Sequence, residues 1–171
     1  MIRRKMMFAV AIGLTTFGSC YATWMAEAAD DAALIKALAG AKVSLQQGLT
    51  ASQREGQPIS AKFELEDGKL QLSIYTAKEG KYFEVIVDYT AGKVAKSEPI
   101  TEGDDLTHAK SQSAAMAKAK AQLKDAVDKA TEAAAGSRAV SVTPEVKGAH
   151  LVASIVLLKG TQFLSVTQQL D

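Results

Sequence analysis

Few side chains in this sequence of 171 residues could do chemistry. Its single cysteine, Cys20, lies in the N-terminal leader described below, and its two histidines are His108 and His150. Without a thiol in the remaining chain, neither a Cys–His pair nor a multi-histidine zinc site is predicted. The glycines are spread out rather than clustered in a phosphate-binding loop, and no Gly-x-Ser-x-Gly motif presents a serine. We therefore predict a protein that is not an enzyme, with no catalytic residue, no metal and no cofactor.

The nearest approach to a metal site is the cluster of Asp104, Asp105 and His108. Asp105 and His108 would share one face at the start of a helix. Acidic residues there also favour the positive end of the helix, and Thr107 could cap it, so a structural role is the better interpretation. The 20 Lys plus Arg nearly balance the 19 Asp plus Glu, so no nucleic-acid binding is predicted.

The N-terminal segment up to Ala28 has the layout of a secretory signal peptide. Three cations at positions 3 to 5 precede an uncharged apolar run, Met6 to Phe17, and small residues up to Ala28 suit cleavage before Ala29. The run is shorter than the roughly 20 residues of a membrane span, and no transmembrane segment is predicted elsewhere. We predict a periplasmic or secreted protein. The short segment ending at Cys20 forms a poor lipobox, which makes a lipid anchor on Cys20 the less favoured alternative.

Glycines divide the rest of the chain at an even interval. One set recurs at every twelfth position, and a second set repeats this spacing later in the chain: Gly56, Gly68, Gly80 and Gly92, then Gly136, Gly148 and Gly160. The offset between the sets is constant, 136 − 56 = 80 in the numbering. Turn signals at this interval are typical of an antiparallel meander, and the constant offset indicates a tandem duplication. We predict a signal peptide at 1–28, a first unit at 29–98, a linker at 99–107 and a diverged second unit at 108–171.

A helical pattern precedes each set of glycines. In the first unit, apolar residues recur at spacings of three and four from Leu34 to Leu45, behind a cap at Asp30 or Asp31. In the second unit, residues 111–135 carry a similar stripe. One helix is therefore predicted in each unit.

Strands follow each helix. Apolar and polar residues alternate on both sides of Asp67-Gly68, a strong signal for a tight hairpin, at Ala61, Phe63 and Leu65 and then at Leu70, Leu72 and Ile74. The predicted fold class is α+β, and each unit is predicted to be one helix on a curved antiparallel sheet of three or four strands.

Residues 151–158 are apolar in both phases of a strand. Such a strand should be covered on both faces. We favour cover by the first unit, while a second copy of the protein or a binding partner remains the alternative. Pro144 cannot donate to a ladder, so its strand is predicted to be an edge strand or to contain a bulge.

The run from Ile59 to Lys96 resembles a PepSY domain. The family pattern ends close to Tyr-Glu-Val-x-Val-Asp-x-x-Thr-Gly-x-Val, and this chain reads Phe-Glu-Val-Ile-Val-Asp-Tyr-Thr-Ala-Gly-Lys-Val from Phe83 to Val94. The second unit resembles the family in outline only. The family is similar in fold to cystatin-like rolls, is regarded as non-catalytic, and occurs in the propeptides of thermolysin-like metallopeptidases. The resemblance implies a module that binds another exported protein and could inhibit or regulate a peptidase.

An aromatic and aliphatic strip on the strands is the candidate partner-binding surface. It is formed by Tyr82, Glu84, Ile86, Val152, Val156 and Leu158. Packing against the second unit would equally explain the first three. A small-ligand carrier, with a pocket between helix and curved sheet, is the alternative function. A homodimer also remains open.

Overall fold

The computed structural model describes residues 21–171, and of residues 21–29 only the helical backbone. Residues 1–20, with Cys20, lie outside this part of the chain, so most of the predicted signal peptide does too. The helices are α1 (Tyr21–Leu38), α2 (Leu45–Ser52), α3 (Gly103–Met116) and α4 (Leu123–Ala133). The strands are β1 (Gln57–Glu66), β2 (Lys69–Lys78), β3 (Lys81–Val87), β4 (Val94–Pro99), β5 (Arg138–Lys147), β6 (His150–Lys159) and β7 (Gln162–Gln169). The predicted α+β class is confirmed.

All seven strands form a single antiparallel sheet in the order β4-β3-β2-β1-β5-β6-β7. The strands of the two predicted units are therefore joined, rather than forming two separate sheets. They meet where Ala61 of β1 pairs with Val142 of β5, and Lys62 with Ser141. This short central ladder makes one continuous sheet from residues far apart in sequence.

Each half of the chain contributes two helices, where the sequence pattern predicted one. The first pattern is interrupted after Leu38, and α2 begins behind Ser44, whose hydroxyl accepts from the Gln47 N–H at 3.2 Å. The Gln47 side chain accepts from the Ser44 N–H in return, at 2.8 Å. This reciprocal capping box starts a new helix. Asp30 and Asp31 lie within α1 and do not cap its start.

The second helical pattern is also divided. α3 starts at Gly103, inside the segment predicted to be a linker, and Glu102 is its N-cap residue. Thr107 is therefore an interior helical residue and not a cap. α3 ends at Met116, and α4 begins at Leu123 after a short connection.

The helices cover both faces of the sheet. α2 lies on the face that carries Leu72 and Ile74, because a Cβ on Gly48 would lie within 3.3 Å of both side chains. α4 packs beside α2 and against β5, β6 and β7 on this face. α3 lies on the opposite face, where Gln112 accepts from the Ser60 hydroxyl at 2.7 Å. We call the two surfaces the α2/α4 face and the α3 face.

The two halves repeat the same strand register. Glu66 pairs with Lys69 across the first hairpin, and Lys147 pairs with His150 across its counterpart. A bulge at Ile59 of β1 recurs at Val140 of β5. The offset between these counterparts is 147 − 66 = 81 in the numbering, one more than the offset of the glycines. The aligned glycines occupy different positions of their turns, second in Asp67-Gly68 and first in Gly148-Ala149.

The connections between the helices also correspond, at an offset of 120 − 42 = 78 in the numbering. The Lys42 and Val43 N–H groups donate to the Tyr89 carbonyl, and the Lys120 and Ala121 N–H groups donate to the Leu170 carbonyl. α1 and α3 end at counterpart residues, Leu38 and Met116. Since Ala61 pairs with its own counterpart, Val142, the two halves are related by a local twofold axis at this pair.

Pro144 lies in a central strand, not at an edge, because β5 runs between β1 and β6. The ladder between β1 and β5 ends at Val142, so Pro144 faces β1 beyond the paired residues and needs no N–H there. The bulge in β5 lies earlier in the strand, at Val140.

Candidate functional site

The six residues of the predicted partner-binding surface lie on one face of the sheet, the α3 face. A single row of paired residues connects its two parts: Ile86, Ser73, Lys62, Ser141 and Val156 follow one another across five strands. Glu84 pairs with Tyr75 in the neighbouring row. The register therefore places the strip of β3 and the strip of β6 on the same face, with three strands between them.

Glu84 is not exposed. Only 6% of its surface is accessible, and it lies beside Tyr75 beneath α3. Tyr82 and Ile86 are half-buried. α3 belongs to the second half of the chain, so the alternative in which this strip packs against the second half describes Glu84 correctly.

A hydrogen-bonded polar network surrounds Tyr75 on this face. The Ser73 hydroxyl donates to Glu64 at 2.7 Å and accepts from the Gln71 amide at 2.8 Å. Lys62 forms an ion pair with Glu64 at 2.6 Å, and its ammonium lies 5.7 Å from the Tyr75 ring centroid. These charges are partnered within the network, which is what a partly buried polar surface needs.

The chemistry of Tyr75 is that of a hydrogen-bond donor. Burial raises the pKa of its hydroxyl above the ordinary 10.0, and the carboxylates of Glu84, Glu64 and Asp105 raise it further. The phenol therefore stays protonated and bonds to Glu84, which favours a structural role over nucleophilic chemistry. Asp105 takes part in this electrostatic environment, whereas His108 is exposed on α3.

Neither histidine belongs to a metal-ligand cluster within residues 21–171. No group of three or more His, Cys, Asp and Glu side chains there could hold a metal ion. His150 is exposed at the start of β6, with its Nδ1 3.4 Å from a carboxylate oxygen of Asp171. Asp104 and Asp105 lie in the first turn of α3, where acidic side chains favour the positive end of the helix.

The strip of β6 is only partly covered. Val152 is 8% exposed, while Val156 and Leu158 are half-buried. Phe163 of β7 pairs with Leu158 and extends the apolar surface toward the edge of the sheet, whereas Val156 pairs with the polar Ser165. No residue of β7 was predicted to take part in binding, although Phe163, Leu164 and Val166 lie among polar residues along this strand.

β7 is the last strand of the sheet, and its outward backbone groups can be identified. The Leu170 N–H donates to the carbonyl of Leu151, the residue opposite it when the pairing of Val152 with Gln169 is extended by one position. Backbone direction alternates along a strand, so the even-numbered residues of β7 bond to β6. The N–H and C=O groups of Phe163, Ser165 and Thr167 therefore point away from the sheet.

In the other half of the chain, the corresponding outward backbone groups are hydrogen-bonded to a further strand. The counterpart of β7 is β3, which is paired on its outer side with β4. The Tyr82 carbonyl accepts from the Ile100 N–H on that side at 2.8 Å. Because Tyr82 is the counterpart of Phe163, the outer edge of β7 corresponds to the edge of β3 that β4 covers.

The two outer strands differ in their protection against further pairing. β4 has six residues and carries Lys96, Glu98 and Pro99, features that discourage strand addition. β7 has eight residues, from Gln162 to Gln169, with no charge and no proline. An uncharged outer strand of this length is suited to accept another strand.

Residues 88–92, within the segment that resembles the PepSY pattern, form a turn. The Asp88 carboxylate accepts from the Thr90 hydroxyl at 2.6 Å and from the N–H groups of Thr90 and Ala91. These bonds, led by the Thr90 hydroxyl, lower the pKa of Asp88. Gly92 follows with a φ of +70°, which few other residues adopt without strain. The turn thus closes the connection from β3 to β4.

A cavity of about 280 Å³ lies between the α3–α4 connection and the start of β1. Gln57 and Pro58 line it from β1, Met116 lines it from the end of α3, and Ala119 and Ala121 line it from the connection. The small-ligand alternative requires a pocket between a helix and the sheet. Leu49 of α2 and Leu123 of α4 also line this cavity, so it lies between helices and the start of β1, the kind of position that the small-ligand alternative requires.

Comparison with family models, with curated proteins and with solved structures finds no match for this chain. Within residues 21–171, no helix is both long enough and apolar enough to cross a membrane.

Proposed function

We propose that this protein is an exported, non-enzymatic module of the PepSY type that binds another exported protein. It would consist of two tandem units, at 29–98 and 108–171, with the second diverged from the family pattern. The repeated strand register supports a duplication, and the Asp88 turn is consistent with a structural function for the motif. Export rests on the predicted signal peptide.

The observation that carries this proposal is the uncharged outer edge of β7. An extended segment of the partner would pair antiparallel to β7, using the outward groups of Phe163, Ser165 and Thr167. This is the relation that β4 has to β3 in the first half of the chain. Main-chain hydrogen bonds would supply affinity, as they do when other sheets accept a strand.

Side chains beside the edge would select the segment. Phe163 and Leu158 form an apolar pair on the α3 face, and Leu164, 37% exposed, lies on the other face. A partner strand would therefore place apolar or β-branched residues against both faces of β7. The PepSY resemblance makes a peptidase the expected class of partner, which the module would inhibit or regulate.

A substitution at Ser165 tests this mode of binding. Ser165→Pro removes one outward N–H without removing a bond to β6, while Ser165→Ala changes only the side chain. We expect the wild type and Ser165→Ala to capture the same exported protein from a periplasmic extract, and Ser165→Pro to lose it. A second copy of this protein as the captured species would identify a homodimer instead, and capture unchanged by proline would contradict strand addition.

Export is tested separately by sequencing the N-terminus of the protein recovered from the periplasmic fraction. Ala29 or a neighbouring residue is the expected first residue. An acylated Cys20 at the N-terminus, or an intact Met1, would contradict cleavage near Ala28.

A further inference from the structure

Arg138 fills a small site made by the connection between α1 and α2. Its guanidinium donates to the carbonyls of Leu38 at 2.9 Å, Ala41 at 3.2 Å and Val43 at 2.8 Å. The ring of Phe63 lies 5.0 Å from the guanidinium carbon. Leu38 is the last residue of α1, so the cation also lies at the negative end of that helix. The arrangement is a receptor for a guanidinium group, occupied by the protein's own side chain.

The local twofold relation places a second copy of this receptor in the other half. The counterparts of Leu38, Ala41 and Val43 are Met116, Ala119 and Ala121, and all three line the cavity of about 280 Å³. The hydrogen bonds that shape the two connections also correspond. Ala41 N–H to Leu38 O matches Ala119 N–H to Met116 O, each at 3.1 Å.

The residue that would fill the second receptor differs. Arg138 is the first residue of β5, and its counterpart at the start of β1 is Gln57. Gln57 is exposed, and its neutral amide is shorter than an arginine side chain. The cavity lies between Gln57 and the connection, where the guanidinium stands in the first half.

The positive side chains at the cavity do not oppose a cation. Lys120 is exposed, and its counterpart Lys42 is also exposed beside the site that Arg138 occupies. Lys124 is neutralised by Asp128, whose carboxylate oxygen lies 2.6 Å from its ammonium. The ring of Phe63 has no aromatic counterpart, because Pro144 stands at that position. A guanidinium group in the cavity therefore contacts no aromatic ring and should be bound more weakly than the Arg138 side chain is in the first half.

From this correspondence we infer that the cavity is a binding site for a guanidinium group, the headgroup of arginine. The carbonyls of Met116, Ala119 and Ala121 would accept its hydrogen bonds. The inference rests on the geometry of the two connections and does not depend on strand addition at β7. Arginine in a peptide and free arginine supply the same headgroup, so the experiment includes both.

The test uses residues 29–171, the chain expected after cleavage of the signal peptide, labelled for NMR. The four small probes are acetyl-arginine amide, free arginine, acetyl-lysine amide and acetyl-citrulline amide. Citrulline has the shape of arginine without its charge. We expect acetyl-arginine amide to shift the backbone amides of residues 116–124 and to bind about tenfold more tightly than the citrulline amide, the difference between charged and neutral donors. If free arginine binds more tightly than acetyl-arginine amide, the ligand is a small molecule. If acetyl-arginine amide binds more tightly than free arginine, the ligand is an arginine within a peptide.

Two variants locate the site. Gln57→Arg supplies the guanidinium from β1 as Arg138 does from β5, so it should abolish probe binding and raise the melting temperature by about 3 °C. Gln162→Arg adds the same charge at an exposed position at the start of β7 and should retain binding. Equal binding of the arginine and citrulline amides, no shift within residues 116–124, or unchanged binding by Gln57→Arg would overturn the inference.

Discussion

Replacing Arg138 by methionine should lower the free energy of unfolding by about 3 kcal/mol. The side chain links β5 to residues near the start of the described chain, through three carbonyls 95 to 100 positions away in sequence. Methionine keeps most of the apolar stem and deletes the donors and the charge. The change therefore removes the hydrogen bonds that Arg138 forms between the two halves and leaves β5 intact.

The magnitude follows from the contacts of the guanidinium. Three hydrogen bonds from a charged donor contribute about 1.5 kcal/mol each at the lower end of measured values, and the contact with the Phe63 ring adds about 0.5 kcal/mol. Removing water from the half-buried guanidinium offsets part of this, on the order of 2 kcal/mol. The same desolvation lowers the pKa of Arg138.

Urea denaturation followed by circular dichroism measures the effect, with the slope of the transition checked for constancy. Arg138→Lys should lower the free energy of unfolding by about half as much, because one ammonium cannot donate to all three carbonyls as the planar guanidinium does. Arg54→Met serves as the control, since Arg54 is exposed and its loss should change stability by less than about 0.5 kcal/mol. An Arg138→Met variant as stable as this control would refute the reasoning for both connections.

Two further predictions concern the two faces of the sheet. Because folding raises the pKa of Tyr75 above the 10.0 of the unfolded chain, its stabilisation is complete below about pH 10 and is lost as the pH rises. Tyr75→Phe should therefore show a shallower loss of stability above pH 10 in urea denaturation, and identical slopes would contradict burial of the hydroxyl. Gly48→Val should lower the free energy of unfolding by about 2 kcal/mol, because a Cβ there lies 2.8 Å from buried Leu72. Unchanged thermal stability of this variant would show that α2 packs less closely than described.

The strands were predictable because their local signals agree. Apolar and polar residues alternate along β1 and β2 and so distinguish the two faces of these strands. Asp67 and Gly68 adopt the positive φ angles of a tight turn, 50° and 74°. The break between α1 and α2 was missed because the apolar spacing of three and four continues through Leu38, Ala41 and Leu45 across it. The capping box of Ser44 and Gln47 was the available signal.

The relation between the two halves was only partly predictable. Glycine spacing indicated a repeat, but turn glycines occupy different positions in the two halves, which shifts the apparent offset by one from that of the strands. The position of α3 on the opposite face from α2 depends on contacts such as Gln112 with Ser60, 52 residues apart. Contacts at such separations, and those of Arg138, have no local pattern, so neither the burial of Glu84 nor the second guanidinium receptor could be read from the sequence.

Hydrogen exchange of the protein in complex with its captured exported partner tests strand addition at β7 most directly. A paired partner strand protects the outward amides of Phe163, Ser165 and Thr167, which exchange readily in the free protein because they point away from β6. We predict strong new protection at these three amides and little change at Leu164 and Val166, which already bond to β6. Protection confined to the face around Tyr82 and Ile86, with the β7 amides still exchanging freely, would contradict the account.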